Sequence, residues 1–222
     1  MTNAYYFFVC VCRSKSYNNL GGLWVQAKDL LFGNKIIIEN FEANYNFVGI
    51  EIAHASVHLK NVEASYNAVL GLNIYGLPKY NTSVEYILDG KVILRNNGYG
   101  NNDPDSTSAG LLVDPAPAPN LTGTFTVRGD LIAQDNAGSG LFFNDTSNVT
   151  VLVEKKGSIT SCGNNKKYVG FDIENDSESD FFGKKYICNT TGGTGPGNFP
   201  VCKKSCSSLD ASSKSGKALF KP

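Results

Sequence analysis

Four residues near the start of this 222-residue chain have side chains suited to holding a sugar, namely Trp24, Glu51, Asn73 and Tyr75. Aromatic rings supply flat apolar faces, and the carboxylate and amide supply hydrogen-bonding groups for hydroxyls. Each would occupy an equivalent outward position, or the next one along, in a repeated segment described below. We therefore predict a carbohydrate-binding platform on one outer face, with an ordinary mixed surface as the alternative.

A second polar set surrounds the longest insertion in the repeat. Asp103 and Asp105 lie in an Asn-, Ser- and Gly-rich stretch, and Asp114 precedes a proline-rich stretch. Calcium takes roughly six to eight oxygen ligands, which such a loop could supply in part. No EF-hand spacing is present. The three aspartates are therefore interpreted either as part of a calcium site or as residues of a solvated loop.

The six cysteines, at 10, 12, 162, 188, 202 and 206, form no CxxC pair. The chain has only two histidines, His54 and His58, which flank a predicted turn and strand and are interpreted as surface residues. Zinc is therefore not expected. Cys188, Cys202 and Cys206 cluster near the C-terminus and predict a small disulfide cap of a secreted protein, the alternative being reduced, buried cysteines.

Asn-x-Ser/Thr sequons also favour an extracellular protein. Such sites accept glycans when they lie on exposed loops of secreted chains. The six candidate glycosylation sites are Asn81, Asn120, Asn144, Asn148, Asn175 and Asn189.

A repeated Gly-apolar-x-apolar segment is the element that would position these groups. It predicts a short strand with two side chains inward and one outward, preceded by a corner at which glycine tolerates unusual dihedral angles. A second apolar-alternating run precedes each copy, as in Ile36-x-Ile38 and Val57-x-Leu59. The segments begin at Gly22, Gly49, Gly71, Gly110, Gly140 and Gly170.

Stacking the copies gives columns of equivalent residues. The outward column is Trp24, Glu51, Asn73, Leu112, Phe142 and Asp172, and the next one is Gln26, Ala53, Tyr75, Asp114, Asn144 and Glu174. The predicted inward residues are Leu23, Val25, Ile50, Ile52, Leu72, Ile74, Leu111, Val113, Leu141, Phe143, Phe171 and Ile173. A corner ladder of stacked amides is predicted from Asn18, Asn46, Asn67, Asn97, Asn136 and Asn164.

This repeat resembles the right-handed parallel β-helix of the pectate-lyase-like superfamily over roughly residues 9–188. The resemblance implies an all-β, right-handed, single-stranded parallel β-helix, a solenoid of about six rungs. The superfamily includes polysaccharide lyases, glycoside hydrolases and epimerases as well as chains with no known activity, so the fold does not choose a function.

Catalytic motifs of those enzymes are not found. The Asn-Thr-Asp, Asp-Asp, Gly-His-Gly and Arg-Ile-Lys motifs of the hydrolases and the Asp-Pro-His motif of the epimerases do not occur. We therefore expect a non-catalytic extracellular module, a scaffold or carbohydrate-binding surface at a cell wall or matrix. The alternative is a fragment of a polysaccharide lyase, glycoside hydrolase or epimerase.

The two ends of the chain differ from the repeat. Residues 1–188 are assigned to the β-helix, with its N-terminal part expected to be missing, and 189–222 to a Gly-, Ser- and Lys-rich tail. Residues 1–11 are apolar and uncharged, so we expect end-to-end self-association through them. A formal net charge of zero gives no electrostatic basis for binding nucleic acid, and no segment reaches the length of a membrane span.

Overall fold

The protein consists almost entirely of β-strands and the bends between them. The computed structural model describes residues 9–26, 36–76, 83–100, 108–114, 121–144 and 147–207. The strands in this part of the chain are β1 (Val9–Cys12), β2 (Lys15–Tyr17), β3 (Gly21–Gln26), β4 (Ile36–Asn44), β5 (Val48–Ala53), β6 (Val57–Glu63), β7 (Leu70–Tyr75), β8 (Val84–Arg95), β9 (Ala109–Asp114), β10 (Leu121–Val127), β11 (Asp130–Gln134), β12 (Ser139–Phe143), β13 (Ser147–Val153), β14 (Ser158–Cys162), β15 (Ile173–Asn175), β16 (Asp180–Phe182), β17 (Tyr186–Ile187) and β18 (Thr191–Gly192).

These strands form two long parallel sheets, and the chain passes from one to the other in each repeat. The first sheet runs β1-β4-β6-β8-β10-β13-β16, with β2, β11, β14 and β17 also paired into it. The second sheet runs β3-β5-β7-β9-β12-β15-β18. The all-β class with parallel pairing is thus confirmed, and the arrangement is compatible with a parallel β-helix.

A bend divides the long strands of the first sheet. Asn40, Asn61 and Gly90 adopt positive φ angles of 53°, 52° and 58° inside β4, β6 and β8. The amide of Asn61 donates to Asn40 Oδ1 at 3.3 Å, which links two of these bends. In the next repeat the same division separates β10 from β11. Each such repeat therefore contains three straight segments, where the sequence predicted at least two.

The core lies between the sheets and follows the predicted columns. Ile36, Val57, Tyr86, Phe125 and Val151 are paired in register across five strands, and all are buried. Ten of the twelve residues predicted to point inward from the second sheet are also buried. The two exceptions, Leu23 and Phe171, are half-buried.

An asparagine ladder crosses the corner between the first sheet and the second. Each backbone N–H in it donates to the Oδ1 of the asparagine in the next repeat, at 2.9–3.1 Å. The prediction was wrong by one residue at the start, because Asn19 and not Asn18 donates to Asn46. The ladder residues are Asn19, Asn46, Asn67, Asn97, Asn136 and Asn164.

The glycines of the repeat have a different role from the one predicted. Gly71 lies inside β7 and has no positive φ angle, so it does not serve a corner. A Cβ there would come within 2.7 Å of the Gly110 carbonyl oxygen and of the Asn97 amide nitrogen. Glycine is therefore required because the neighbouring backbone and the ladder amide occupy the space of a side chain.

The last repeat is displaced by two residues from the predicted alignment. Leu141 pairs with Ile173 and Phe142 with Glu174, so Glu174 and not Asp172 continues the outward column. Asp172 instead is buried and accepts hydrogen bonds from the backbone N–H groups of Asn189 and Thr190. A two-residue shift preserves the alternation of inward and outward side chains, so the apolar pattern did not reveal it.

The second sheet continues beyond Cys188, because β18 pairs with β15. Residues 208–222 and residues 1–8 lie outside the described part, as does most of the segment expected to self-associate. Among the described residues, no helix is long and apolar enough to cross a membrane.

Candidate functional site

The structure brings the four predicted sugar-binding residues to one outer face of the second sheet. Trp24 pairs with Glu51, and Glu51 with Asn73, on the adjacent strands β3, β5 and β7. Their side chains point away from the core, because they alternate with the inward residues of the same strands. We call Trp24, Glu51, Asn73 and Tyr75 the outer platform.

Interactions within the outer platform join its residues in two pairs. The Asn73 amide donates to Glu51 Oε1 at 3.4 Å. The Trp24 side chain acts on the Tyr75 phenol and lowers its pKa, because indole N–H is a hydrogen-bond donor.

The residues of the outer platform differ in exposure, and the Tyr75 phenol has a raised pKa. Trp24 is 62% exposed, whereas Glu51, Asn73 and Tyr75 are half-buried. Burial raises the pKa of the Tyr75 phenol, an effect that the Trp24 hydrogen bond opposes and the Glu51 charge reinforces. The Asn73 Oδ1 atom is buried and has no hydrogen-bond partner in the described part of the chain.

Chemically, the platform offers a ring face, one carboxylate and both donors and acceptors. Glycoside hydrolysis ordinarily uses two carboxyl groups, and Glu51 is the one carboxyl group of this set. On the next strands the column continues with Leu112 and Phe142, which are apolar. These groups are of the kinds that contact a polyhydroxylated ligand, and a further carboxyl group, that of Asp114 on β9, lies in register with Tyr75.

Glu174 is a carboxyl group at the other end of the same outward column. It is half-buried, and its carboxylate accepts from the Ser139 hydroxyl. Burial raises the pKa of Glu174, opposed by the Ser139 hydrogen bond and reinforced by the charge of Asp176. Five strand spacings separate β15 from β3, about 24 Å, so Glu174 is not part of the outer platform.

The predicted calcium residues fall partly outside the described chain. Asp103 and Asp105 lie outside the described residues, and Asp114 ends β9 in register with Tyr75. No group of three or more His, Cys, Asp or Glu side chains within the described ranges is arranged to hold a metal ion.

The six sequons differ in accessibility. Asn81 and Asn120 lie outside the described residues. Asn148 and Asn189 are exposed, and Asn144 is half-buried just after β12. Asn175 is fully buried, and its amide nitrogen donates to the Ser179 and Asn198 carbonyls, so the folded chain does not present it for modification.

Two disulfides fasten the C-terminal segment to the strands. Cys188 bonds to Cys202, and Cys206 bonds to Cys162 at the end of β14. The three clustered cysteines were predicted candidates, but Cys162 was not, because its partner lies 44 residues away. An odd cysteine count in the cluster was the signal that a distant fourth residue takes part.

The two histidines do not share a site. His54 was predicted at the surface but is 3% exposed, in a bend with a positive φ of 48°. His58 lies on β6, and its Nε2 is 3.6 Å from Asp89 Oδ2.

Comparisons with known proteins complete this description. No protein-family model, no curated protein and no solved structure matches the chain. The description of the fold therefore rests on the strand pairing.

Proposed function

We propose that the chain is a right-handed parallel β-helix of about six rungs, similar to the pectate-lyase-like superfamily. Parallel pairing of each strand with its counterpart in the neighbouring repeat supports this architecture, as does the asparagine ladder. In such a solenoid each rung buries its apolar side chains only by stacking on its neighbours.

The proposed function is non-catalytic binding of a polysaccharide at a cell wall or matrix, through the outer platform. The observation that supports it is the exposed Trp24 ring, which lies in register with Glu51 and therefore beside the Glu51–Asn73 pair. Aromatic faces with adjacent polar groups suit sugars, whose rings have apolar faces and hydroxylated edges.

An extracellular location is part of this proposal. Cys162–Cys206 and Cys188–Cys202 are the supporting observation, because disulfides persist in oxidising compartments. Expression with and without a secretory leader tests it. Secreted protein should carry both bridges, and an equally stable chain with free thiols at these positions would contradict it.

Trp24 provides the test of binding, because it is the one tryptophan of the chain. Soluble neutral and uronate-containing polysaccharides are titrated into the full chain while Trp24 fluorescence is followed. Binding should shift the emission to shorter wavelength as the ring leaves water. Trp24→Ala should weaken calorimetric affinity about tenfold or more.

Phe182→Ala is the matched control, because Phe182 is an exposed aromatic residue on the other sheet. It should leave affinity unchanged. Trp24 emission that does not respond to any of the polysaccharides at millimolar concentration would refute the outer platform as a binding site.

A second candidate function is polysaccharide cleavage by the chain as part of a longer enzyme. Glu174 favours it, because a half-buried carboxyl group with a raised pKa beside Asp176 could act as a general acid. Release of reducing ends or unsaturated products from polysaccharides, lost in Glu174→Gln, would support cleavage. Absence of products across the panel would leave binding as the function.

A further inference from the structure

A groove of about 620 Å³ runs along the asparagine-ladder corner, separate from the outer platform. Tyr45, Tyr66 and Tyr99 line it, together with Asn18 and Asn96. We call it the corner groove. It lies at the N-terminal ends of β5 and β7, whereas Tyr75 lies at the C-terminal end of β7. A six-residue strand separates the two places by about 20 Å.

Two stacked tyrosines form the wall of the corner groove. The rings of Tyr45 and Tyr66 are 5.1 Å apart between centroids and within 9° of parallel. Both are largely exposed, at 56% and 47%. An exposed pair of large rings contributes little to the core, so burial does not account for tyrosine at these positions.

The backbone at both tyrosines disfavours a large side chain. Tyr45 and Tyr66 adopt φ angles of 58°, in the left-handed region where asparagine is tolerated better than tyrosine. Asn18 and Asn96 occupy the equivalent position in neighbouring repeats, with φ angles of 57° and 52°. Local conformational preference thus favours asparagine throughout, and strained residues of this kind are concentrated at functional sites.

The polar groups of the corner groove are neutral. None of the described residues that line it carries a charge. Asn18 and Asn96 add amides that do not belong to the ladder, and the Tyr99 hydroxyl donates to the Asp135 carbonyl at 3.1 Å, which fixes that ring. Phosphate or uronate ligands would need a cation, and none of the lining residues is one; the ammonium of Lys167, which borders the groove, donates to the Tyr99 carbonyl at 3.3 Å.

We propose that the corner groove binds a neutral oligosaccharide, as a second site independent of the outer platform. Ring faces and edges of Tyr45 and Tyr66 contact the apolar faces of the sugar, while the amides of Asn18 and Asn96 hydrogen-bond its hydroxyls. Four repeats, from Asn18 to Asn96, give the groove a length of about 14 Å along the stacking direction. A short oligosaccharide fits this length.

The test uses the full chain carrying Trp24→Ala, so that the outer platform does not contribute. Cellohexaose and mannohexaose are the neutral probes, hexagalacturonate is the acidic one, and binding is measured by calorimetry. At least one neutral probe should bind, and Tyr45→Asn with Tyr66→Asn should weaken it about tenfold or more. The melting temperature should stay the same or rise, because asparagine suits these φ angles.

Tyr45→Phe with Tyr66→Phe is the matched control, since it keeps both rings and should retain most of the affinity. Equal affinity in the doubly Asn-substituted chain would overturn the proposal, as would failure of both neutral probes to bind at millimolar concentration. Preferential binding of hexagalacturonate would also overturn it. In chains that retain Trp24, the Asn substitutions should leave the emission response unchanged, which separates the fate of this site from that of the outer platform.

Discussion

Asn97 stands at the centre of the buried ladder, and its replacement by alanine gives the sharpest test of the fold. Its Oδ1 accepts from the backbone and side-chain N–H groups of Asn67, and its amide nitrogen donates to the Ala64 carbonyl and to Asn136 Oδ1, each at 3.0 Å. The side chain is fully buried. Asn97→Ala removes all four hydrogen bonds without adding bulk.

The cost can be worked out from the groups that lose a partner. In the Asn97→Ala variant, Asn136 Oδ1 still accepts from the backbone N–H of residue 97. The Asn67 side-chain amide still donates to the Ala43 carbonyl. The Asn67 backbone N–H and the Ala64 carbonyl each lose their hydrogen bond to the Asn97 side chain at a buried corner. At about 1–3 kcal/mol for each group, Asn97→Ala should lower the free energy of unfolding by about 2–6 kcal/mol.

Urea denaturation measures this effect. With a slope of about 1–3 kcal/mol per molar urea, the midpoint should fall by about 1–3 M. Asn19→Ala is the matched control, because Asn19 belongs to the same ladder but is exposed, and it should change stability by about 0.5 kcal/mol or less. An Asn97→Ala midpoint within about 0.3 M of the unsubstituted chain would refute the reasoning that the ladder stabilises the stack.

Two further predictions concern the core and the titration of Glu174. Ile74→Asp places a charge at a fully buried position in the middle of the second sheet, so the chain should fail to unfold cooperatively in urea, and a soluble, cooperative variant would count against this core. Burial raises the pKa of Glu174, so the folded state binds its proton more tightly, and this group opposes folding once the pH rises above the ordinary carboxyl pKa. Glu174→Gln should therefore raise stability at about pH 7 and have little effect at about pH 3.5, whereas equal effects at both pH values would contradict the raised pKa.

Apolar alternation was sufficient to predict the two sheets and most of the core. Ile36 and Val57 each begin an apolar-alternating run that precedes a repeated glycine, and the structure pairs these two residues in register. The same alternation failed at Asp172, where a two-residue shift leaves the inward pattern unchanged. The alternation of apolar residues therefore predicts on which face of the sheet a side chain lies, but not which residue of the next repeat it pairs with.

The two candidate sites differ in whether the sequence could predict them. Trp24, Glu51 and Asn73 follow from strand position alone, so their proximity could be predicted. Tyr45 and Tyr66 could not, because left-handed φ angles are expected of asparagine and glycine, and no side-chain pattern marks a tyrosine that adopts them. The positions of these two tyrosines in the corner groove depend on the backbone geometry that the stacked neighbouring repeats impose.

The connections around the second sheet differ greatly in length, and this has a consequence for how the chain can diversify. Residues 54–56 join β5 to β6, whereas 27–35 join β3 to β4 and 115–120 join β9 to β10. Each doubling of a flexible loop costs only about 0.6 kcal/mol in closure entropy. Insertions and deletions at this edge can therefore accumulate without disturbing strand register. Because the edge adjoins Trp24 and Tyr75, the surroundings of these two residues can change during evolution while the stacked framework stays the same.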